Sequence, residues 1–214
     1  MRAFIFSLLF FISAGYCFSQ DKDVLLPSAD KSGGMPLMQA LNERKTQRNF
    51  DAEKELSEQQ LANLLWAATG VNRPESGKMT APTAMDDREI DVYVVLKSGA
   101  YRYDAAKHTL VFVAEGDLRG DMGRQAFTAD AAVMLVYVAD YSKMSVALSK
   151  ENKDFYSAVD VGYISQNVYL FAASEKLATV VLGWIDRDKI TKALSLKKEQ
   201  KVILTQCVGV PKGE

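Results

Sequence analysis

The segment from Tyr156 to Lys176 (YSAVDVGYISQNVYLFAASEK) constrains this chain more than any other stretch of it. It is apolar nearly all round when wound as a helix. Val159, Val161, Ile164, Val168, Leu170, Phe171, Ala172 and Ala173 point in every direction, with Asp160, Gln166 and Asn167 set among them. A helix without a polar face is a buried helix. One this long exceeds what a single small core covers, so the segment predicts a subunit interface and a homodimer.

The rest of the chain supplies the layers for that helix. Ile90–Leu96 (IDVYVVL), Val133–Ala139 (VMLVYVA), Thr179–Ile185 (TVVLGWI) and Val202–Val210 read as strands. Shorter strands, Ala100–Tyr103 and His108–Val113, flank a turn at Asp104–Lys107. Met35–Lys45 and Leu118–Phe127 are predicted helices, and Asp186 can cap a short helix running to Leu194. The segment after Ser57 is the best signalled helix. Ser57 and Gln60 form a capping box, Leu56 and Leu61 a hydrophobic staple, and Gly70 a stop. Asn72–Asp87 is a loop by composition. Strands and helices mix without a regular βαβ repeat, which makes the class α+β. Residues 35–214 are enough for one such domain.

The N-terminus reads as a separate element. Arg2 precedes the apolar run Phe4–Ile12 (FIFSLLFFI), and Cys17-Phe18-Ser19 places small residues where a signal peptidase reads them. The expectation is a secretory signal over 1–19, cleavage before Gln20, and an exported, periplasmic protein. Residues 20–34 (QDKDVLLPSADKSGG) are polar and punctuated by Pro and Gly, and read as an extended arm. Cleavage leaves Cys207 as the sole thiol, so the core has no internal disulfide to lean on.

Composition excludes several chemistries. Lys and Arg number 26 against 27 Asp and Glu, leaving a net charge of −1 and no broad basic field to attract nucleic acid. A single histidine, His108, rules out two-histidine metal sites and sits in a hairpin pattern rather than beside a nucleophile motif. Cys207 lies on an apolar strand, where packing is its expected role. Asp86 and Asp87 lack the following ligand spacing of a cation loop. No dinucleotide or P-loop glycine pattern is present. What remains is an anion site: Arg44, Lys45 and Arg48 gather at a helix end, with the two arginines four apart on one helical face.

That cluster belongs to an ordered set. ERKTQRNF (43–50) precedes LSEQQLANLLWAATGVNRP (56–74), TAPTAM (80–85) and EIDVYVV (89–95). DVGYISQNVYLFAA (160–173), VVLGWID (180–186) and VGVPKG (208–213) follow. In this order the chain resembles the nitroreductase-like flavoprotein superfamily over most of residues 35–213. LLWAATGVNRP and YRYD look closest to its thiazoline-oxidase-like dehydrogenase branch.

The resemblance implies a sandwich with a mixed central sheet and long buried helices at a dimer interface, with FMN bound between subunits. It implies that Arg44, Lys45 and Arg48 hold the FMN phosphate and ribityl chain, with Lys212 as a further cation. Thr83 and Ala84 match the small residues that let the backbone approach the flavin. Leu182 and Gly183 match the strand end whose N–H groups face the flavin N5/O4 edge. Asp86 departs from the pattern, since an amide usually stands in that stretch, and an ionised carboxylate accepts hydrogen bonds but donates none. The implied activity is an oxidoreductase that passes hydride or electrons through the flavin to or from a small molecule, with no catalytic side chain and no metal. The other reading of the same residues is a member that binds flavin or a small ligand in the cell envelope without turnover. The residues name neither the substrate nor the electron donor.

Overall fold

A computed structural model describes residues 22–213, so the expected signal segment 1–19 and its cleavage point lie outside the described residues. The order of elements is β1 (Val24–Leu25), α1 (Leu37–Glu43), α2 (Glu58–Thr69), β2 (Val71–Arg73), β3 (Lys78–Met79), β4 (Ile90–Leu96), β5 (Gly99–Asp104) and β6 (Thr109–Glu115). Then follow β7 (Val133–Asp140), α3 (Lys150–Ser174), β8 (Ala178–Leu182), α4 (Arg187–Ala193) and β9 (Gln200–Gly209).

Seven strands form one sheet in the order β1-β6-β5-β4-β7-β9-β8, and β2 with β3 forms a small ribbon. The continuous apolar runs of β4 and β7 follow from burial on both faces. Val92, Val94, Val133, Leu135 and Tyr137 face a core built with Leu61, Leu64 and Leu65 of α2 and Val161, Ile164 and Val168 of α3. Their alternates, Tyr93, Val95, Met134, Val136 and Val138, face a second core with Met122, Ile190 and Leu194. Leu64 and Leu65 are fully buried, and each such side chain stabilises the fold by about 1.5–3 kcal/mol.

The α+β class holds, but the sheet is antiparallel at every described pairing, not mixed. The α3 crossover does make β7 and β8 run in one direction. The last strand, β9, then inserts between them, antiparallel to both.

Local signals succeeded where they were mechanical. Ser57 and Gln60 make the full capping box of α2. Gly70 ends the helix with its N–H on the Trp66 carbonyl, and a Cβ there would come within 2.3 Å of the Trp66 side chain. Asp186 caps α4 by accepting the Lys189 N–H. The predicted helix at Leu118–Phe127 is absent. Two short 3-10 turns, Arg119–Asp121 and Ala126–Ala129, replace it. Gly120 and Gly123 weaken a helix there, and Arg119 turns inward to Asp117 and the Ala131 carbonyl. The arm is tied down: Val24 and Leu25 pair with β6, and Leu26 is buried.

The helix that led the sequence reading, α3, begins earlier than expected, at Lys150, where Ser149 caps it by accepting the Asn152 N–H. One face carries Val161, Ile164, Val168 and Ala172 into the core. The opposite face leaves Phe155 and Tyr163 exposed, at 63% and 47%. Gly162 and Gln166 are exposed on that side as well. Among the described residues no helix is long and apolar enough to cross a membrane.

Candidate functional site

Arg44, Lys45 and Arg48 do not share a helical face. The α1 helix ends at Glu43, and Arg44 turns out of it with extended backbone angles. The segment that follows runs along the outer edge of β8, where the Gln47 N–H donates to the Thr179 carbonyl at 3.0 Å. The chain's end joins it: the Lys212 N–H donates to Asn49 O, and Phe50 bridges Pro211. Four cationic residues, Arg44, Lys45, Arg48 and Lys212, thus collect at one end of the molecule. None of the four forms an ion pair with a described residue.

Tyr169 of α3 organises this end. The Arg44 guanidinium lies 5.4 Å from its ring centroid. The Tyr169 hydroxyl lies 3.2 Å from Thr46 Oγ1 and accepts the Val181 N–H at 3.1 Å. Beside it, Glu43, Lys45, Gln47, Lys176, Thr179 and Pro211 line a cleft of about 460 Å³, within the usual range for small-molecule sites. Lys176 and Tyr169 were missing from the sequence-based set. Tyr169 was hidden inside an apolar run, where it reads as packing.

Leu182 and Gly183 close β8. The Leu182 side chain is buried in the second core, so that side chain is not available to a ligand. Gly183 is exposed, and a Cβ there would meet only Leu204, at an ordinary 3.6 Å.

Thr83, Ala84 and Asp86 lie elsewhere. The Ala84 N–H donates to Asp160 of α3 at 2.9 Å, and the Thr83 hydroxyl donates to Glu89 at 3.3 Å. Asp160 and Tyr169 are nine residues apart, about two and a half turns, which puts them on opposite faces of α3. One chain therefore does not bring the cationic end and the 83–88 loop into a single cleft.

Asp86 is not a bare charge. Arg88 grips it with two hydrogen bonds, Nε to Oδ1 at 3.1 Å and Nη2 to Oδ2 at 3.0 Å. That guanidinium holds the Asp86 carboxyl below its ordinary range, so it is ionised at neutral pH. Beneath the loop the sign reverses: burial, with Asp160 nearby, raises Glu89 above its ordinary value. Cys207 is fully buried, and burial pushes its thiol up to about 12, which leaves it unreactive. His108 stands apart from both regions, its Nδ1 hydrogen-bonded to the Tyr103 hydroxyl.

The donor set at the cationic end fits FMN. Two guanidinium groups and two ammonium groups, none in an ion pair with a described residue, match a phosphate, although the Glu43 carboxylate lines the adjoining cleft. The open space over Gly183 leaves room for a planar ring against the backbone. Asp86 fits less well, and Arg88 offsets its charge.

The sequence model of the nitroreductase family matches residues 41–210. A solved structure from Ralstonia eutropha, described as a nitroreductase, is 38% identical, covers 92% of each chain and superposes with a TM-score of 0.86. A protein of Methanocaldococcus jannaschii that carries a nitroreductase name is 27% identical over 187 residues, 82% of this chain and 91% of that one. The NADPH-flavin oxidoreductase of Vibrio harveyi is 28% identical over 114 residues, 48% of each chain.

Proposed function

This chain belongs to the nitroreductase family, and from that premise we propose that it is an exported FMN-dependent oxidoreductase working as a homodimer on a small molecule. The observation that carries the reading is the open cationic end formed by Arg44, Lys45, Arg48 and Lys212, none of which is in an ion pair with a described residue. The flavin named in the Vibrio harveyi relative accords with it.

In this reading Arg44, Lys45 and Arg48 hold the FMN phosphate and ribityl chain, and Lys212 adds a fourth positive charge. The backbone at Leu182 and Gly183 offers N–H groups to the ring edge, while Thr83 and Ala84 allow close approach. When bound, FMN supplies hydride or electron exchange through its ring. The protein's part is to bind, orient and tune. Asp86 accepts hydrogen bonds without donating, and Arg88 supplies the opposing charge beside it.

Two features of α3 support the homodimer reading. Its outward face carries Phe155 and Tyr163. The two groups of site residues lie on its opposite faces, so a second copy is needed to put the loop of one chain beside the cations of the other. Export rests on the Arg2 to Ser19 pattern. Nicotinamide cofactors are cytoplasmic metabolites, so an exported enzyme would exchange electrons with another partner.

The test is an absorbance spectrum of purified protein before and after a chemical reductant. Flavin bands that bleach are expected, and colourless protein that takes up no added FMN would reject the assignment. Asp86 favours a second reading, a flavin-binding member without turnover. That reading predicts bound flavin that a reductant bleaches but no small-molecule acceptor reoxidises faster than free flavin. For export, mass spectrometry of protein from native envelopes should find Gln20 as the first residue.

A further inference from the structure

Between Thr83 and Arg88 the backbone takes a path that residues with a Cβ avoid. Met85, Asp86 and Arg88 have φ of 56°, 59° and 51°. None of them is glycine. The left-handed region crowds any side chain, so such a run persists only where its surroundings hold it.

Two buried carboxylates do the holding. Asp160 is 2% exposed and accepts the Ala84 N–H through Oδ2 at 2.9 Å. Glu89 is fully buried and accepts the Thr83 hydroxyl at 3.3 Å. The same hydroxyl oxygen accepts the Arg88 N–H at 3.1 Å, closing the loop across its mouth. Glu89 is itself pinned, because its carbonyl accepts the Asp140 N–H at the end of β7. Carboxylates are costly in such places, and packing alone would be served by apolar side chains. Both are directed at the one segment whose backbone most needs restraint.

We propose that Asp160 and Glu89 are positioning residues that latch the 83–88 loop in its left-handed form and so set how Thr83 and Ala84 meet the cofactor. The role in cofactor binding rests on the FMN reading; the latch itself does not.

The test compares wild type, Asp160→Ala, Asp160→Asn and Thr83→Val by amide hydrogen exchange, with and without added FMN, and by FMN titration. Asn keeps an acceptor for the Ala84 N–H, whereas Ala does not. In Asp160→Ala, amides 84–88 should exchange about tenfold faster or more while β7 is unchanged. FMN should bind about tenfold more weakly in that variant. Asp160→Asn should stay within about threefold of wild type in both readouts. Thr83→Val, which deletes the bridge to Glu89, should loosen the same amides and serves if Asp160→Ala does not fold. Unchanged exchange at 84–88 overturns the latch. So does an equal rise across α3 and β7, since Asp160 would then be an ordinary core residue. If wild type binds no FMN, the proposed function falls, and the exchange comparison still decides the latch.

Discussion

The two halves of the candidate site are built on opposite principles. The cationic end is open: Arg44, Lys45, Arg48 and Lys212 sit on extended, solvent-facing chain, with Tyr169 beside Arg44. The 83–88 loop is braced: Met85, Asp86 and Arg88 are left-handed, and buried Asp160 and Glu89 hold it from below. The first region keeps its charges unspent for a ligand. The second uses its charges within the chain, as the Asp86–Arg88 pair shows. Binding energy is thus expected from the first region and geometry from the second. They lie on opposite faces of α3, so in the proposed homodimer a second subunit would join them.

The most disruptive way to break this contrast is to separate the subunits. Tyr163→Glu, on the exposed face of α3, should yield monomers by light scattering and weaken FMN binding by about 100-fold or more. A dimer with wild-type affinity would mean that a second copy does not complete the site. Next, Arg48→Ala tests the open half alone. If bound FMN buries Arg48 against its phosphate, loss of one partner of that buried charge pair costs about 2–5 kcal/mol, roughly 30-fold or more in FMN affinity by titration. Lys198→Ala, beyond α4, is the control and should change little. Arg119 would be a poor control, because it is 5% exposed and bound to Asp117 and the Ala131 carbonyl, so its loss destabilises the fold.

The braced half is probed by pH. The folded chain keeps the Glu89 proton to higher pH than the unfolded chain, whose ordinary value is 4.5. This contribution to stability is fully present below that value and is lost as pH rises through the folded one. Glu89→Gln should remove that loss while keeping an acceptor for Thr83. Thermal melts of both proteins from acid to neutral pH should diverge by no more than about 1.4 kcal/mol per pH unit, with the variant relatively more stable at neutral pH. Parallel melts would place the Glu89 proton elsewhere. The smallest effect is electronic. Asp86→Asn removes a negative charge that opposes flavin reduction, but Arg88 already offsets it. The FMN potential should rise by less than about 30 mV in a dye-equilibrated titration. An unchanged or lowered potential would mean that Asp86 points away from the flavin or is fully neutralised by Arg88.

Much of this was legible from residues alone, for reasons particular to each element. Ser57, Gln60 and Gly70 act within a few residues, so α2 is found almost to its ends. The strand at Ile90–Leu96 matches the sequence reading at both ends because its apolar run is bounded by charge and by a Lys97-Ser98-Gly99 turn. The 118–127 segment failed because Arg119 exchanges helical order for long-range contacts that periodicity does not record. The site was half legible. Basic residues in the 44–48 segment announce an anion site, but not that they lie off the helix on an extended edge. Tyr169 and Asp160 lie inside an apolar helix, where neither type nor spacing reveals a partner 123 positions away, as Thr46 is from Tyr169, or 76 positions away, as Ala84 is from Asp160.

By itself the sequence determined most of the elements, the class, the family and the charges available for an anion, because capping, alternation and composition are short-range properties. Tertiary structure alone decided how those elements were joined. It slid β9 between β7 and β8 and so made the sheet antiparallel throughout. It drew the chain's end against residues 49–50 to complete the cationic cluster. It also set Asp160 under a loop of left-handed residues. Each of these depends on which distant backbone groups must find partners once the core is buried, and local sequence does not encode that choice.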